Sequence, residues 1–157
     1  MRPLSTFLAA AIMLTAMSVN AASWQDVPFD ANNFYGSAGM GWWVNATSPT
    51  RNEYKIENGR LQWNVSLIGT SIDGALSVGL LMKTPEGARP AKSGNVGTFV
   101  YSNGGVYGTG VIYVNKATSN ADSRIWLLRN FDYGPNLNWR RSNADTYIIF
   151  NLDMAVQ

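Results

Sequence analysis

From Leu61 to Leu67 the chain alternates apolar and polar residues, LQWNVSL. That is the period of a strand with one buried face. Leu61, Trp63, Val65 and Leu67 fall on the buried side, and Gln62, Asn64 and Ser66 on the wet side. Tyr54-Lys55-Ile56 precedes this run and reaches it through Glu57-Asn58-Gly59-Arg60. Asn-Gly between such flanks predicts a type I′ hairpin, because both residues accept positive φ. Similar patterns predict strands over 40–46 (around Trp42 and Val44), 96–101, 106–114, 123–129 and 146–156. A further strand is expected over 75–82, with Leu76, Val78 and Leu80 on one face. In the last strand Phe150, Leu152 and Met154 alternate with Asn151, Asp153 and Ala155, so it too has a wet side. Ser102-Asn103-Gly104-Gly105 predicts a second hairpin. The 124–129 run also fits a helical turn, but it is too short to stand as a helix without caps. Short strands between Gly, Asn, Ser and Pro turns predict an all-β fold, an antiparallel β-sandwich of jelly-roll type. No repeat and no linker divides it, so one domain is expected.

The N-terminus reads differently. Arg2 is followed by an apolar run over 8–14 and then by Val19-Asn20-Ala21, which is the layout of a secretory signal peptide ending at Ala21. The apolar run is interrupted by Thr15, Ser18 and Asn20. It is also too short to span about 30 Å of hydrocarbon at about 1.5 Å per residue. The expected domain is therefore 22–157, secreted or periplasmic, with no membrane insertion after processing. The sequence has no Cys, so no lipid can be attached through a thiol. For the same reason the stability of this exported domain must come from packing and hydrogen bonds rather than disulfides.

The 12 Lys+Arg balance against 10 Asp+Glu gives no basic face for nucleic acid. Arg140-Arg141, with Arg129 upstream, is the nearest approach to a cluster and reads as a solvated edge. The sequence has no His and no Cys. Ser-His-Asp triads, Cys-His pairs, and thiolate or imidazole zinc sites are thereby excluded. A carboxylate hydrolase needs two carboxylates about 5–9.5 Å apart. Most acidic residues here sit in turns, as in Asp73-Gly74 and Glu86-Gly87, while Asp145 and Asp153 flank the final strand. Gly104, Gly105, Gly108 and Gly110 lack the Lys and the helix of a phosphate loop, so hairpin geometry is the expected reason for them. Asp30-Ala31-Asn32-Asn33 is too sparse for a calcium loop. No catalytic, metal or cofactor site is expected.

Aromatic residues are the positive signal: six Trp and seven Tyr. Trp42 and Trp43 are neighbours in a predicted strand, so they point to opposite faces and one must leave the core. The segment 131–140, FDYGPNLNWR, mixes rings, amides and a charge on an expected loop, the composition of a contact surface. Tyr133, Trp139, Arg140, Tyr107 and Trp43 are the expected ligand contacts. The rings would act by stacking and the guanidinium by a planar fork. The expected function is a non-catalytic binding module whose partner is a glycan or a protein surface; the alternatives are a structural or inhibitor-like subunit working through a protein interface and, behind it, a carboxylate-based polysaccharide hydrolase.

One resemblance adds to this. The run Tyr54-x-Ile56-x-x-Gly59-x-Leu61-x-Trp63-x-Val65-x-Leu67-x-Gly69-Thr70 leads through an apolar strand to Thr84-Pro85-Glu86-Gly87-Ala88-Arg89-Pro90. A glycine-rich hairpin and a closing Phe150-Asn151-Leu152 strand follow. This order is similar to the C-terminal β-sandwich modules of phage tail fibres and related secreted bacterial proteins. The likeness implies an adhesive or receptor-binding tip, often a homo-trimer, with no shared catalytic residues. Tail fibres assemble in the cytoplasm, so the expected signal peptide favours an exported protein built on a similar module.

Overall fold

The computed structural model describes residues 22–27, 34–36, 39–44, 50–74, 76–129 and 138–157. The expected signal peptide and Tyr133 lie outside these residues. In order, the strands are β1 (Gln25–Asp26), β2 (Phe34–Gly36), β3 (Met40–Val44), β4 (Thr50–Glu57), β5 (Arg60–Gly74) and β6 (Gly79–Lys83). Then follow β7 (Gly94–Asn103), β8 (Val106–Val114), β9 (Arg124–Arg129) and β10 (Ser142–Ala155). The fold is all-β, and every strand pair among the described residues is antiparallel. The strands join one sheet in the order β1-β4-β5-β10-β7-β8-β9-β6-β2, with β3 also paired to β5. This sheet curls into a half-barrel. Phe34 of β2 meets Trp42 of β3 edge to face at 5.1 Å, bringing distant parts of the path together.

The local chemistry of the hairpins follows the sequence. Asn58 (φ 52°) and Gly59 (φ 70°) make the β4–β5 turn with both residues left-handed, as a type I′ turn requires. Leu61, Trp63, Val65 and Leu67 are buried. So are Phe150, Leu152 and Met154 in β10, which pairs along β5 from Arg60 to Ile72. The 124–129 run is a strand, β9, and its alternate residues Ile125 and Leu127 enter the core. At Gly69 (φ 73°) the ladder slips: Thr146 pairs Thr70, but Ile148 pairs Leu67. The extra residue bends β5 and lets β4 pair its first half and β3 its second.

Two of the expected elements need correction. The strand expected over 75–82 begins only at Gly79, and Leu76 and Val78 are exposed while Leu80, Leu81 and Met82 are all buried. The alternation there was apparent only, because Leu81 pairs Trp126 inside a strand covered on both sides. Of the strand expected over 40–46, Met40–Val44 is β3, and residues 45–46 lie outside the described residues. The second hairpin turns on Gly104 (φ 58°) and Gly105 (φ 74°), so Asn103 belongs to β7 and is fully buried.

Gly108 and Gly110 are not hairpin residues either. A Cβ on Gly110 would lie 2.3 Å from the Phe99 ring and 2.5 Å from the Leu128 carbonyl oxygen, and one on Gly108 would lie 2.7 Å from the Tyr101 hydroxyl. These glycines make room for inward rings on the neighbouring strand. Gly110→Ala should therefore lower unfolding free energy by about 2–3 kcal/mol through overpacking, measured by urea denaturation. An alanine variant as stable as the parent would contradict this account of the glycine.

Candidate functional site

The end of the sheet where β3, the second half of β5, the start of β10 and the β7–β8 hairpin meet is organised by a buried polar network. Trp42 Nε1 donates to Thr70 Oγ1 at 3.0 Å, and Thr70 Oγ1 donates to the Thr146 carbonyl at 3.0 Å. The Thr146 hydroxyl lies 2.6 Å from the Ser142 hydroxyl and accepts from Asn103 Nδ2 at 2.9 Å. Ser142 Oγ in turn accepts from the Ile72 amide at 3.1 Å. Asn103 also clamps the backbone of Arg140: its Oδ1 accepts from Arg140 N at 2.6 Å and its Nδ2 donates to Arg140 O at 2.9 Å. Inside a low-dielectric core such a satisfied network fixes one arrangement of the chain.

Between Ser142 and Thr146 three residues of β10 oppose the single Ser71 of β5. This bulge pushes Asn143, Ala144 and Asp145 outward, where all three are exposed. Ala144 sits at φ 58°, and its amide donates to Ser71 Oγ at 2.9 Å. A non-glycine residue held there costs on the order of 1–3 kcal/mol, and such strain concentrates at functional sites. Beside the bulge lies Trp43, paired to Ser71 from β3 and 45% exposed, while its neighbour Trp42 is buried. The opposite-face expectation for the two tryptophans holds. Trp43, Ile72, Asp73, Arg141, Ser142 and Asn143 line an open depression of about 420 Å³. Arg141 Nε binds Asp73 Oδ1 at 3.2 Å, and Arg141 Nη2 donates to the Gly74 carbonyl at 3.4 Å. Both side chains remain largely exposed, so their mutual charge is satisfied while their outer hydrogen-bonding atoms face solvent.

A second group of rings shares this outer face. Tyr147 of β10 pairs Ser102 of β7, which pairs Tyr107 of β8. On the next rung Ile149, Val100 and Thr109 line up in the same way. Tyr107 is 78% exposed, and Tyr147, Ile149 and Val100 are also exposed. Ser102 points outward yet is only 4% exposed, as a small side chain flanked by two tyrosines would be.

The expected contacts thus separate. Trp43 and Tyr107 are exposed on the same face of the sheet. Arg140 is exposed, and its stem lies by the hairpin tip, with Cδ 3.6 Å from where a Gly104 Cβ would be. Tyr133 lies outside the described residues. Trp139 is a correction: it is fully buried, stacked on Phe99 at 6.0 Å and 15°, and tilted against Tyr101 at 5.3 Å. Its indole N–H donates to the Leu127 carbonyl at 3.3 Å. A ring with no exposed face cannot stack on a ligand. Its place is explained by Arg129, a 6% exposed cation whose guanidinium carbon lies 4.9 Å from the Tyr101 ring and 5.7 Å from the Trp139 ring. The rings and the Asn103 and Asn138 oxygens surround a charge that has no carboxylate partner among the described residues.

Sequence reasoning passed over Tyr147, Asp73, Arg141 and Asn143. Tyr147 and Ile149 were detectable, since both are large and out of phase with Ile148, Phe150 and Leu152. Asp73 looked like a turn residue and Arg141 like a solvated edge; only the pairing of β3 with β5 sets them around a tryptophan. A larger depression of about 540 Å³ lies elsewhere. Its ring, Tyr54, is half-buried and donates its hydroxyl to Gln25.

The carboxylates do not assemble into a glycosidase pair at Asp145 and Asp153. Eight residues separate them along β10, about 25 Å at roughly 3.3 Å per residue, and Asp153 is bound to Arg60 at 2.7 Å. Glu53, on the same outer face, is held below the usual carboxylate range by a hydrogen bond from Arg51. That is opposite to the raised value a general acid needs. Among the described residues no group of three or more acidic side chains gathers to hold a metal. Comparison with models of known families, with curated proteins and with solved structures finds no match to this chain.

Proposed function

We propose that this chain is an exported, non-catalytic binding module that holds a glycan on the outer face of its sheet. The observation that carries the reading is the depression at Trp43. There an exposed indole, an arginine–aspartate pair and an amide converge beside a strained bulge held by buried hydrogen bonds. A sugar offers an apolar ring face and a rim of hydroxyls, and this site offers an aromatic face and planar hydrogen-bonding groups in the same place. A sheet curled into a half-barrel round one core cluster is the support for a sandwich-like reading of the module. Export by a signal peptide and kinship with adhesive tail-fibre tips belong to the same proposal.

Trp43→Ala should weaken glycan binding by about 2 kcal/mol or more, as loss of a central anchor does. Because about half of the ring is exposed, unfolding free energy should fall by only about 1–2 kcal/mol, well short of the loss from a fully buried tryptophan. A glycan array paired with urea unfolding measures both. Binding unchanged in the variant would move the site away from this depression. A second reading, a subunit working through a protein interface, is favoured by exposed Val100 and Ile149, which are aliphatic rather than aromatic. Sedimentation separates the two: a stable oligomer without sugar binding supports the interface.

A further inference from the structure

The Trp43 depression does not account for the second group of exposed rings. Tyr147 and Tyr107 stand on one rung with Ser102 between them. With strands about 4.8 Å apart, the two tyrosines are separated by about 10 Å. Trp43 lies two strands from Tyr147 on the other side, across β5, again about 10 Å in the direction across the strands. Trp43 pairs Ser71, two to three residues (about 7–10 Å) along β5 from the level of Tyr147, so the three rings form an oblique row that crosses five strands at one end of the sheet. All of them point outward.

Resting on the reading of Trp43 as a sugar contact, we infer that the ligand is an extended, uncharged polysaccharide lying across the strands, from Trp43 past the bulge to Tyr147 and Tyr107. Pyranoses joined by equatorial β-1,4 bonds make a straight ribbon in which successive sugars alternate their faces. Every second sugar then presents the same apolar face to the protein, and a disaccharide repeat is comparable to the distance between rings. A helical glucan would curve away from such a row. Beside the rings the face provides exposed neutral partners that hydroxyls need: the Asn143 amide at the bulge and, one rung on from Tyr107, the Thr109 hydroxyl on β8. Charge argues for a neutral chain. Asp73 and Arg141 neutralise each other, Arg140 and Asp145 balance in formal charge, and the rungs bearing Tyr147, Ser102, Tyr107, Ile149, Val100 and Thr109 carry none.

The test is calorimetry with β-1,4-linked gluco- and N-acetylgluco-oligosaccharides from disaccharide to hexasaccharide, run on the intact protein and on Tyr107→Ala. Affinity should rise about tenfold or more between disaccharide and hexasaccharide. Tyr107→Ala should remove most of that rise, and its urea midpoint, which reports folding, should stay at the parent value because the side chain is so exposed. Affinity independent of length but still lost in Trp43→Ala overturns the row and leaves the Trp43 reading standing. Absence of binding to every oligosaccharide overturns both. Tighter binding of polygalacturonate than of the neutral hexasaccharide overturns the uncharged ligand. A concentration-dependent dimer abolished by Tyr107→Ala assigns the face to a second copy of the chain and overturns the glycan row.

Discussion

Trp139→Ala should lower the free energy of unfolding by about 3–5 kcal/mol, the range for removing a large ring from a packed core. Three losses act together. The stack on Phe99 and the tilted contact with Tyr101 disappear. The Leu127 carbonyl loses its indole donor. Arg129 loses one of the two rings flanking its buried guanidinium, leaving a cation beside an empty space. In a domain of this size the melting temperature should drop on the order of 10 °C. Trp139→Phe keeps most of the volume and should recover more than half of the loss. The readout is urea and thermal unfolding followed by circular dichroism. A change under about 1 kcal/mol would mean that the ring is not the core element described and would return it to the surface.

Trp63→Ala should be of similar size, about 3–5 kcal/mol, with a further contribution from an orphaned acceptor. Trp63 is fully buried, meets Phe150 edge to face at 6.0 Å, and donates its N–H to Asn52 Oδ1 at 2.7 Å. Asn52 is itself buried and would keep only a 3.4 Å bond from its Nδ2 to the Val27 carbonyl. An unsatisfied buried polar atom costs about 1–3 kcal/mol. Asn64, the next residue, faces the other way and makes a 3.4 Å contact with Glu53, so Asn64→Ala should cost less than about 1 kcal/mol. The pair tests register, since a slip of one residue exchanges the two faces of the strand. Equal effects at both positions would refute the assigned faces of β5.

Local pattern was sufficient where each residue's fate depended on its own strand. The alternation of β5 and β10, the Asn58-Gly59 turn and the opposed faces of Trp42 and Trp43 all follow from a period of two and from which residues accept positive φ. It failed where a second element covers the strand. Leu80, Leu81 and Met82 are buried in succession, so both faces of β6 are covered, which a period of two within the strand cannot reveal. Gly108 and Gly110 looked like turn residues, whereas their requirement is set by rings on β7.

The candidate site shows the same division. Composition already pointed to rings instead of His or Cys chemistry; strand alternation required one of Trp42 and Trp43 to leave the core, and Tyr107 stood beside a glycine-rich hairpin. Trp139 was misassigned because a tryptophan near Gly134-Pro135 reads as a loop residue, while its burial is decided by Phe99, Tyr101 and Arg129, all distant in sequence. The sequence by itself determined an all-β chain, its principal hairpins, its alternating faces and the absence of imidazole and thiol chemistry. Only the tertiary structure decided which aromatic residues leave the core and which stand together. The reason is that exposure depends on what packs over a face, and the row of Trp43, Tyr147 and Tyr107 exists only through the pairing of strands far apart along the chain.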